Sequence, residues 1–459
     1  MLNQSAELSK FNTDFINRMI LSPDLIVAQQ QKIRSCELPP AYESLRNFIS
    51  PWPVVINDKI VRDMRGICQV VTSLLHKSLF IISEDYFDFS VAAYGIDISN
   101  LISTNRNSMD VHLSVGRYDA IMTKGNFKLI EYNAGTNIGG WHLLRCVETY
   151  RDIVGGGGNL VCTPILEKFL KLVYQMTNND KCNAVPSVNL LFVLDSTDAV
   201  EDLRTSLPFF KMALVELDLD ISVFWTQSLD DVSVSDTGVF FHNKKMDVLS
   251  FPVFQFDYHD PKIEMMVLLH QQKKVVFPDM PAFLIAGYKS NFANLHWLNN
   301  CGKFDKSESA FINKFIPATY HLSDELNSVI NQDLSWLYRE VEQNKDNFVI
   351  KRDGYFGGDH VYVGRFMTDT SWRNILSAAR KSKDWIVQQY CPSDHFYAPE
   401  PDGKLALHNY IFGFFNFGGD YGGAGVRLMK MDTGSGVVNS AKGAQYTSIF
   451  EVPAQSIFI

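Results

Sequence analysis

Residues 116–141, GRYDAIMTKGNFKLIEYNAGTNIGGW, constrain this chain more than any other stretch. They read as two short strands, 115–122 and 127–133, joined by Lys124-Gly125-Asn126. Three-residue hairpin loops favour Gly or Asn where φ must be positive. A loop of those three residues sets Thr123 opposite Phe127, and therefore Asp119 opposite Glu131 and Arg117 opposite Asn133. Side chains two apart on a strand share a face, so one Arg, two carboxylates and one amide project to the same side.

Two opposed carboxylates repel each other unless something positive sits between them. A hard cation with oxygen ligands answers that need, and Mg²⁺ is typically held by one or two carboxylates plus substrate phosphates. Asn133 offers a neutral oxygen, which makes Asp119, Glu131 and Asn133 candidate metal ligands. Arg117, permanently charged and planar, would contact phosphoryl oxygens and is a candidate catalytic residue. The competing reading is a surface hairpin in which Arg117 pairs with Asp119 or Glu131, since alternating polar strands are common.

Composition narrows the partners. A net charge of −9 without a long basic run argues against nucleic acid or an anionic membrane surface as the main partner. The first residues carry no basic segment followed by an apolar core, and no apolar run approaches the ~18 residues of a spanning helix. Seven scattered cysteines without CxxC read as reduced thiols of a cytoplasmic protein, and eleven dispersed histidines without HExxH argue against zinc. At 459 residues the chain predicts two or three lobes, and its oligomeric state, a homodimer included, is not legible.

Along the chain, residues 1–47 read as helical through Phe11, Phe15, Met19 and Ile20, interrupted at Pro23 and closed by Pro39-Pro40. Residues 61–80 have the repeat of an amphipathic helix. Gly139-Gly140 leads into WHLLRCVETYRDI, a helix whose first amides would either hold an anion or simply start a packing helix. The glycines 155–158 read as a mobile loop rather than a dinucleotide fingerprint, and Thr163-Pro164 as the Thr cap and first-turn Pro of the next helix. From Val188 onward the strand VNLLFVLDS, a helix near 198–214, the strands ISVFWT and GVFFH, and a helix over 262–272 alternate as in a Rossmann-like lobe. Asp195 reads as a turn cap rather than a ligand.

A second constellation holds Lys289, in PAFLIAGYKSNFANLH, and Lys351, in NFVIKRDGYFGGDHVYVG. A strand running into Gly354, Gly357 and Gly358 and out into HVYVG can fold over a triphosphate, its amides and Lys351 supplying counter-charge; an ordinary β-turn is the alternative. A helix over 323–344 is expected between the two segments. WIVQQYCP, with Gln388 and Gln389, and the paired strands in HNYIFGFFNFGGDYGGAGVRLMK, with Arg427, follow; GSGVVNSAKGAQYTSIF reads as a substrate-facing loop.

RxD, then ExN twelve residues beyond the Asp and a Gly-Gly pair, resembles the magnesium-binding strands of the circularly permuted ATP-grasp ligases. Glutathionylspermidine synthetase and eukaryotic-type glutathione synthetase are the members most similar. The resemblance spans Arg117 to Lys430 and implies ATP and Mg²⁺ as cofactors, with Asp119, Glu131 and Asn133 on the metal and Arg117 on the reacting phosphoryl group. It places Lys289, Lys351, Gly357 and Gly358 on the phosphates, Gln388 and Gln389 near adenine, and Arg427 at the family's late Arg position.

The implied fold is a permuted ATP-grasp built from residues 1–160 and 291–459 around a Rossmann-like middle lobe at 161–290. The implied reaction joins a small carboxylate to an amine through an acyl phosphate, releasing ADP and phosphate. Two departures stand out: the family's loop Glu is absent from Lys351-Arg352-Asp353-Gly354, and the basic substrate residues of the middle lobe are not recognisable. A small-molecule kinase and a nucleotide-binding regulatory protein without turnover remain as rival classes.

Overall fold

The apolar repeat expected over 61–80 belongs to a longer helix, α1 (Asp58–Asp85), capped by Asn57, whose side chain accepts from the Ile60 amide at 3.1 Å. The structure is a computed structural model that describes residues 23–35, 49–50, 52–104, 110–139, 147, 150–151, 160–177, 187–252, 260–354, 358–400, 404–431, 436–439 and 442–452. By length and composition α1 could cross a membrane, contrary to the reading that no run is apolar enough. Of its most apolar window, 61% is buried inside the fold. Its Thr72 Oγ1 meets the Tyr118 hydroxyl at 2.7 Å, and its Cys68 Sγ donates to the Phe415 carbonyl.

The strands β1 (Val54–Ile56), β2 (Val115–Thr123) and β3 (Asn126–Ala134) come from the first third of the chain. The helix α2 (Ile165–Thr177) follows, but the Thr163 hydroxyl donates to the buried Glu451 at 2.6 Å, and Pro164 precedes the first helical residue. A parallel sheet is then laid down from β4 (Val188–Val193) and β5 (Ile221–Thr226), with the crossover helix α3 (Thr197–Leu217) between them. Ser196, not the exposed Asp195, caps α3.

The expected strand GVFFH does not join this sheet. It is β7 (Gly238–Phe241), antiparallel to β6 (Ser233–Ser235) and β8 (Lys244–Met246). His242 and Asn243 have φ of 47° and 60°, and such a two-residue turn returns the chain antiparallel, whereas a parallel neighbour needs a crossover. The third strand beside β4 is β9 (Val248–Ser250).

The four strands β10 (Thr319–His321), β11 (Phe348–Arg352), β12 (Val361–Val363) and β13 (Trp385–Gln389) form a separate sheet in the order β10-β13-β11-β12. The single helix expected over 323–344 is two, Asp324–Val329 and Ser335–Gln343. Asn331 sits between them at φ 51°, a left-handed conformation that ends a helix.

The last strands, β14 (Phe396–Pro399), β15 (Leu405–Phe417), β16 (Asp420–Lys430) and β17 (Gln445–Glu451), return to the first three. Together they make one seven-stranded sheet, β1-β17-β16-β15-β2-β3 with β14 on β15, from both parts of the chain. Strand alternation divides its side chains. Tyr118 stacks on Tyr132 and Phe414, and Phe127 meets Phe412 edge to face, in the main core with α1; the opposite face carries the polar set of β2 and β3.

The readings for residues 1–22, for most of 140–159, including the glycines at 155–158, and for Gly357 lie outside the described residues. Among the described residues Cys68, Cys301 and Cys391 are free thiols.

Candidate functional site

The hairpin that organises the site reaches the expected pairing by a different route. Its turn is two residues, Lys124 at φ 52° and Gly125 at φ 72°, so Thr123 faces Asn126 rather than Phe127. Asp394 holds that turn, its carboxylate oxygens accepting from the Lys124 and Gly125 amides at 2.8 and 2.9 Å. The register is therefore one residue off near the tip, and every functional pair would fall out of line. A bulge between Asp119 and Ala120 on one strand and Glu131 and Leu129 on the other leaves Ile130 unpaired and restores Asp119 opposite Glu131 and Arg117 opposite Asn133. The bulge has a second use, because the Ile130 carbonyl accepts from Lys351 Nζ at 2.8 Å.

Three side-chain cations meet the two carboxylates. Arg117 lies along Asp119, Nε to Oδ1 at 2.9 Å and Nη2 to Oδ2 at 3.2 Å, and its other terminal nitrogen donates to the Ile138 carbonyl. Arg427, from β16, reaches Asp119 Oδ2 at 2.6 Å. Lys289 Nζ lies 2.9 Å from Glu131 Oε1. Burial would raise the Asp119 carboxyl, but the two guanidiniums outweigh it and hold it down at about 2. Gly413 on β15 lies opposite Asp119, where a Cβ would come 3.1 Å from Arg117 Cδ and 3.5 Å from Asp119 Oδ1. A strand-interior glycine here makes room for the ion group, and that glycine was the overlooked signal for it.

Lys351 is 6% exposed and is held by Gln388 as well as by Ile130. Gln388 Oε1 accepts from Lys351 Nζ at 2.6 Å, Gln388 Nε2 donates to Thr319 Oγ1 at 3.1 Å, and the Thr319 hydroxyl donates to the Pro317 carbonyl at 2.7 Å. Burial pushes the Lys351 ammonium down to about 8. The Gln388 amide is thus committed to a lysine, and the exposed Gln389 is the freer of the pair.

Lys289 immediately precedes the helix α4 (Ser290–Asn300), whose first amide, on Ser290, donates to Asp353 at the start of the glycine turn. One acidic residue therefore joins the two lysine segments.

Between the seven-stranded and the four-stranded sheets lies a cleft. Asp119, Glu131, Lys289, Lys351, Gln388, Gln389, Gly358 and Arg427 line it; Arg117 and Asn133 are not among the lining residues. Ile121, Val349, Val361, Val363 and Ile411 are among its apolar lining residues. Asn409, Tyr390 and the segment Gly436–Asn439 line it too; that segment belongs to the stretch read as a substrate-facing loop, whereas Asn409 and Tyr390 were not singled out in the sequence. Gly358 faces that segment, since a Cβ on it would come 2.9 Å from Val437 Cγ1. Among the described residues no three His, Cys, Asp or Glu side chains gather as a metal cluster, so a cation here would rest on Asp119, Glu131 and an amide oxygen. All three are hard oxygen donors, which fits Mg²⁺ and not a soft metal.

No family model and no curated protein matches the chain. Among solved structures it is similar to a glutathione synthetase-like effector from Globodera pallida in the apo form, with 12% identity, a TM-score of 0.57, and coverage of 94% of this chain and 98% of that one. A putative gamma-glutamylcysteine synthetase from Methylobacillus flagellatus KT, with 10% identity over 83% of this chain and 88% of that one, has a TM-score of 0.36, too low to bear on the fold. The first likeness shows a shared overall fold, a mixed α/β one.

Proposed function

We propose that this chain is an ATP-dependent carboxylate–amine ligase of the circularly permuted ATP-grasp type, with the parallel sheet of β4, β5 and β9 as its Rossmann-like middle lobe. One observation carries the reading: three cations from three separated segments, Lys289, Lys351 and Arg427, line one cleft with two opposed carboxylates, and a fourth, Arg117, pairs with Asp119. The same cleft is lined by apolar as well as charged side chains, as a nucleotide requires. A glutathione synthetase-like neighbour makes small amino-acid or peptide substrates the first candidates.

In this reading adenine lies among Val349, Val361, Val363 and Ile411, and the triphosphate runs towards Lys351 and Lys289. Asp119, Glu131 and Asn133 would hold Mg²⁺, which when bound neutralises charge on the transferring phosphoryl group. Arg427 lines the cleft and is placed to meet the phosphoryl oxygens. Arg117 fixes Asp119. The substrate carboxylate oxygen attacks the γ-phosphorus, ADP leaves, and an amine then displaces phosphate from the acyl phosphate to give an amide. The segment Gly436–Asn439 and Gly358, which face each other in the cleft lining, would exclude the water that hydrolyses such an intermediate.

The test is a product assay with ATP and pooled amino acids, repeated with hydroxylamine in place of the amine. ADP, phosphate and a trapped hydroxamate are expected. AMP and pyrophosphate would overturn the reading, and ADP without any trapped acyl group would favour a kinase. A protein that binds nucleotide without turnover is the second reading. It is favoured by the missing loop Glu and by the two arginines already holding Asp119.

A further inference from the structure

Without a ligand, the ion group is not balanced. Among the described residues four cations, Arg117, Arg427, Lys289 and Lys351, gather around two carboxylates, Asp119 and Glu131, an excess of positive charge. Counting Asp353, which lies behind Lys289 on the Ser290 amide, leaves the excess positive. Each metal-facing carboxylate is also occupied, Asp119 by Arg427 at 2.6 Å and Glu131 by Lys289 at 2.9 Å. A divalent cation entering this cleft would add like charge to a partly buried cationic site and would have to displace both partners, two costs that grow as the dielectric falls.

We propose that the metal site is closed in the free protein by Lys289 and Arg427, and that a polyanionic nucleotide opens it by drawing those two side chains from the carboxylates to its phosphates. This rests on the nucleotide reading above and adds an order to it: triphosphate and metal enter together, and the metal alone does not enter. Several negative charges arriving at the lysines reverse the sign of the site, and the vacated oxygens of Glu131 and Asp119 then attract the cation. The same exchange makes binding reciprocal: the factor by which nucleotide tightens the metal is the factor by which the metal tightens the nucleotide. Lys289 and Arg427 are thereby switch residues as well as phosphate contacts. Asp353, which holds the first amide of the Lys289 helix, sets the position from which Lys289 swings.

The test uses Mn²⁺ and the full-length protein, reading the loss of the free-ion electron paramagnetic resonance signal in the absence of nucleotide. Wild type should leave the signal nearly unchanged. Lys289→Met, which uncovers Glu131, should tighten Mn²⁺ binding at least tenfold, and adding Glu131→Gln to it should abolish the gain. Arg427→Met provides a second opening should Lys289→Met fail to give a cooperative melt; a gain in either folded variant supports the proposal. Nucleotide-free wild type that binds Mn²⁺ as tightly as Lys289→Met overturns it, as does a gain that survives Glu131→Gln. Calorimetry of wild type with Mg²⁺ and a β,γ-imido ATP analogue separates the two levels. Nucleotide binding without any Mn²⁺ gain in the variants sinks only the exchange, whereas no nucleotide binding at all sinks the ligase reading itself.

Discussion

The two walls of the cleft are built differently. The seven-stranded wall gathers strands from residues 54–134 and 396–451, turns a stacked aromatic face to the core, and carries both carboxylates with Arg117 and Arg427. The four-stranded wall is made of residues 319–389, has its own small core around Trp372, Ile350 and Val387, and brings Lys351 and Gln388. On the first wall the charges are held by one another and are part of the fold. On the second the buried Lys351 ammonium donates to two neutral oxygens, Gln388 Oε1 and the Ile130 carbonyl. If Lys351 serves the proposed nucleotide rather than the fold, substitutions should separate the two kinds of charge.

The largest effect is expected at Asp119→Asn. Removing one partner of a buried ion group strands the others, at a cost of about 3–5 kcal/mol. Urea denaturation should show that loss, while Glu131→Gln, at a carboxylate 24% exposed, should keep nearly wild-type stability and lose turnover. Equal midpoints for the two variants would erase the distinction between the walls.

Next comes Lys351→Ala. Charge-assisted contacts are worth about 1.5–3 kcal/mol, so nucleotide affinity should fall by roughly ten- to a hundredfold by calorimetry, with no comparable loss of stability. A melting temperature that drops as far as that of Asp119→Asn would place Lys351 with the structural charges instead.

A smaller effect is set by pH. The Lys351 ammonium titrates at about 8 in the fold against 10.5 as its ordinary value, so the folded state favours the neutral form. Nucleotide affinity, which needs the ammonium, should be full below about 8 and decline as pH rises through it, while the fold itself gains stability between 8 and 10.5. Lys351→Arg should bind with a flat profile over that range, and a wild-type profile already flat would refute the assignment.

The smallest expected change is at Thr319→Val, which removes the hydroxyl behind Gln388. One neutral hydrogen bond is worth about 1 kcal/mol, and a several-fold weaker nucleotide affinity should follow with the catalytic rate of bound substrate unchanged. An unaltered affinity would mean that Gln388 holds Lys351 without help.

Some of this was legible in residue order. Period-two alternation alone puts Arg117, Asp119, Glu131 and Asn133 on one face, and the strand, glycine turn, strand pattern around Lys351 is local. The length of α1 and the break at Asn331 were harder, because caps and left-handed residues decide helix ends and neither alters the apolar repeat.

The sequence by itself determined the chemistry of the hairpin: which oxygens and which cation share a face, and that opposed carboxylates there demand positive charge. Tertiary structure decided where that charge comes from. Arg427 lies 308 residues from Asp119, and Lys289 approaches Glu131 from a helix on another part of the chain, so no local spacing could announce either pairing. It also decided how the hairpin keeps its register, since the two-residue turn and the Ile130 bulge each shift the strands by one and only together cancel. The physical reason is the same in both cases. Alternation and turn preference act between near neighbours, whereas charge balance in a buried cleft is settled among whatever groups the packed sheets bring within a few ångströms.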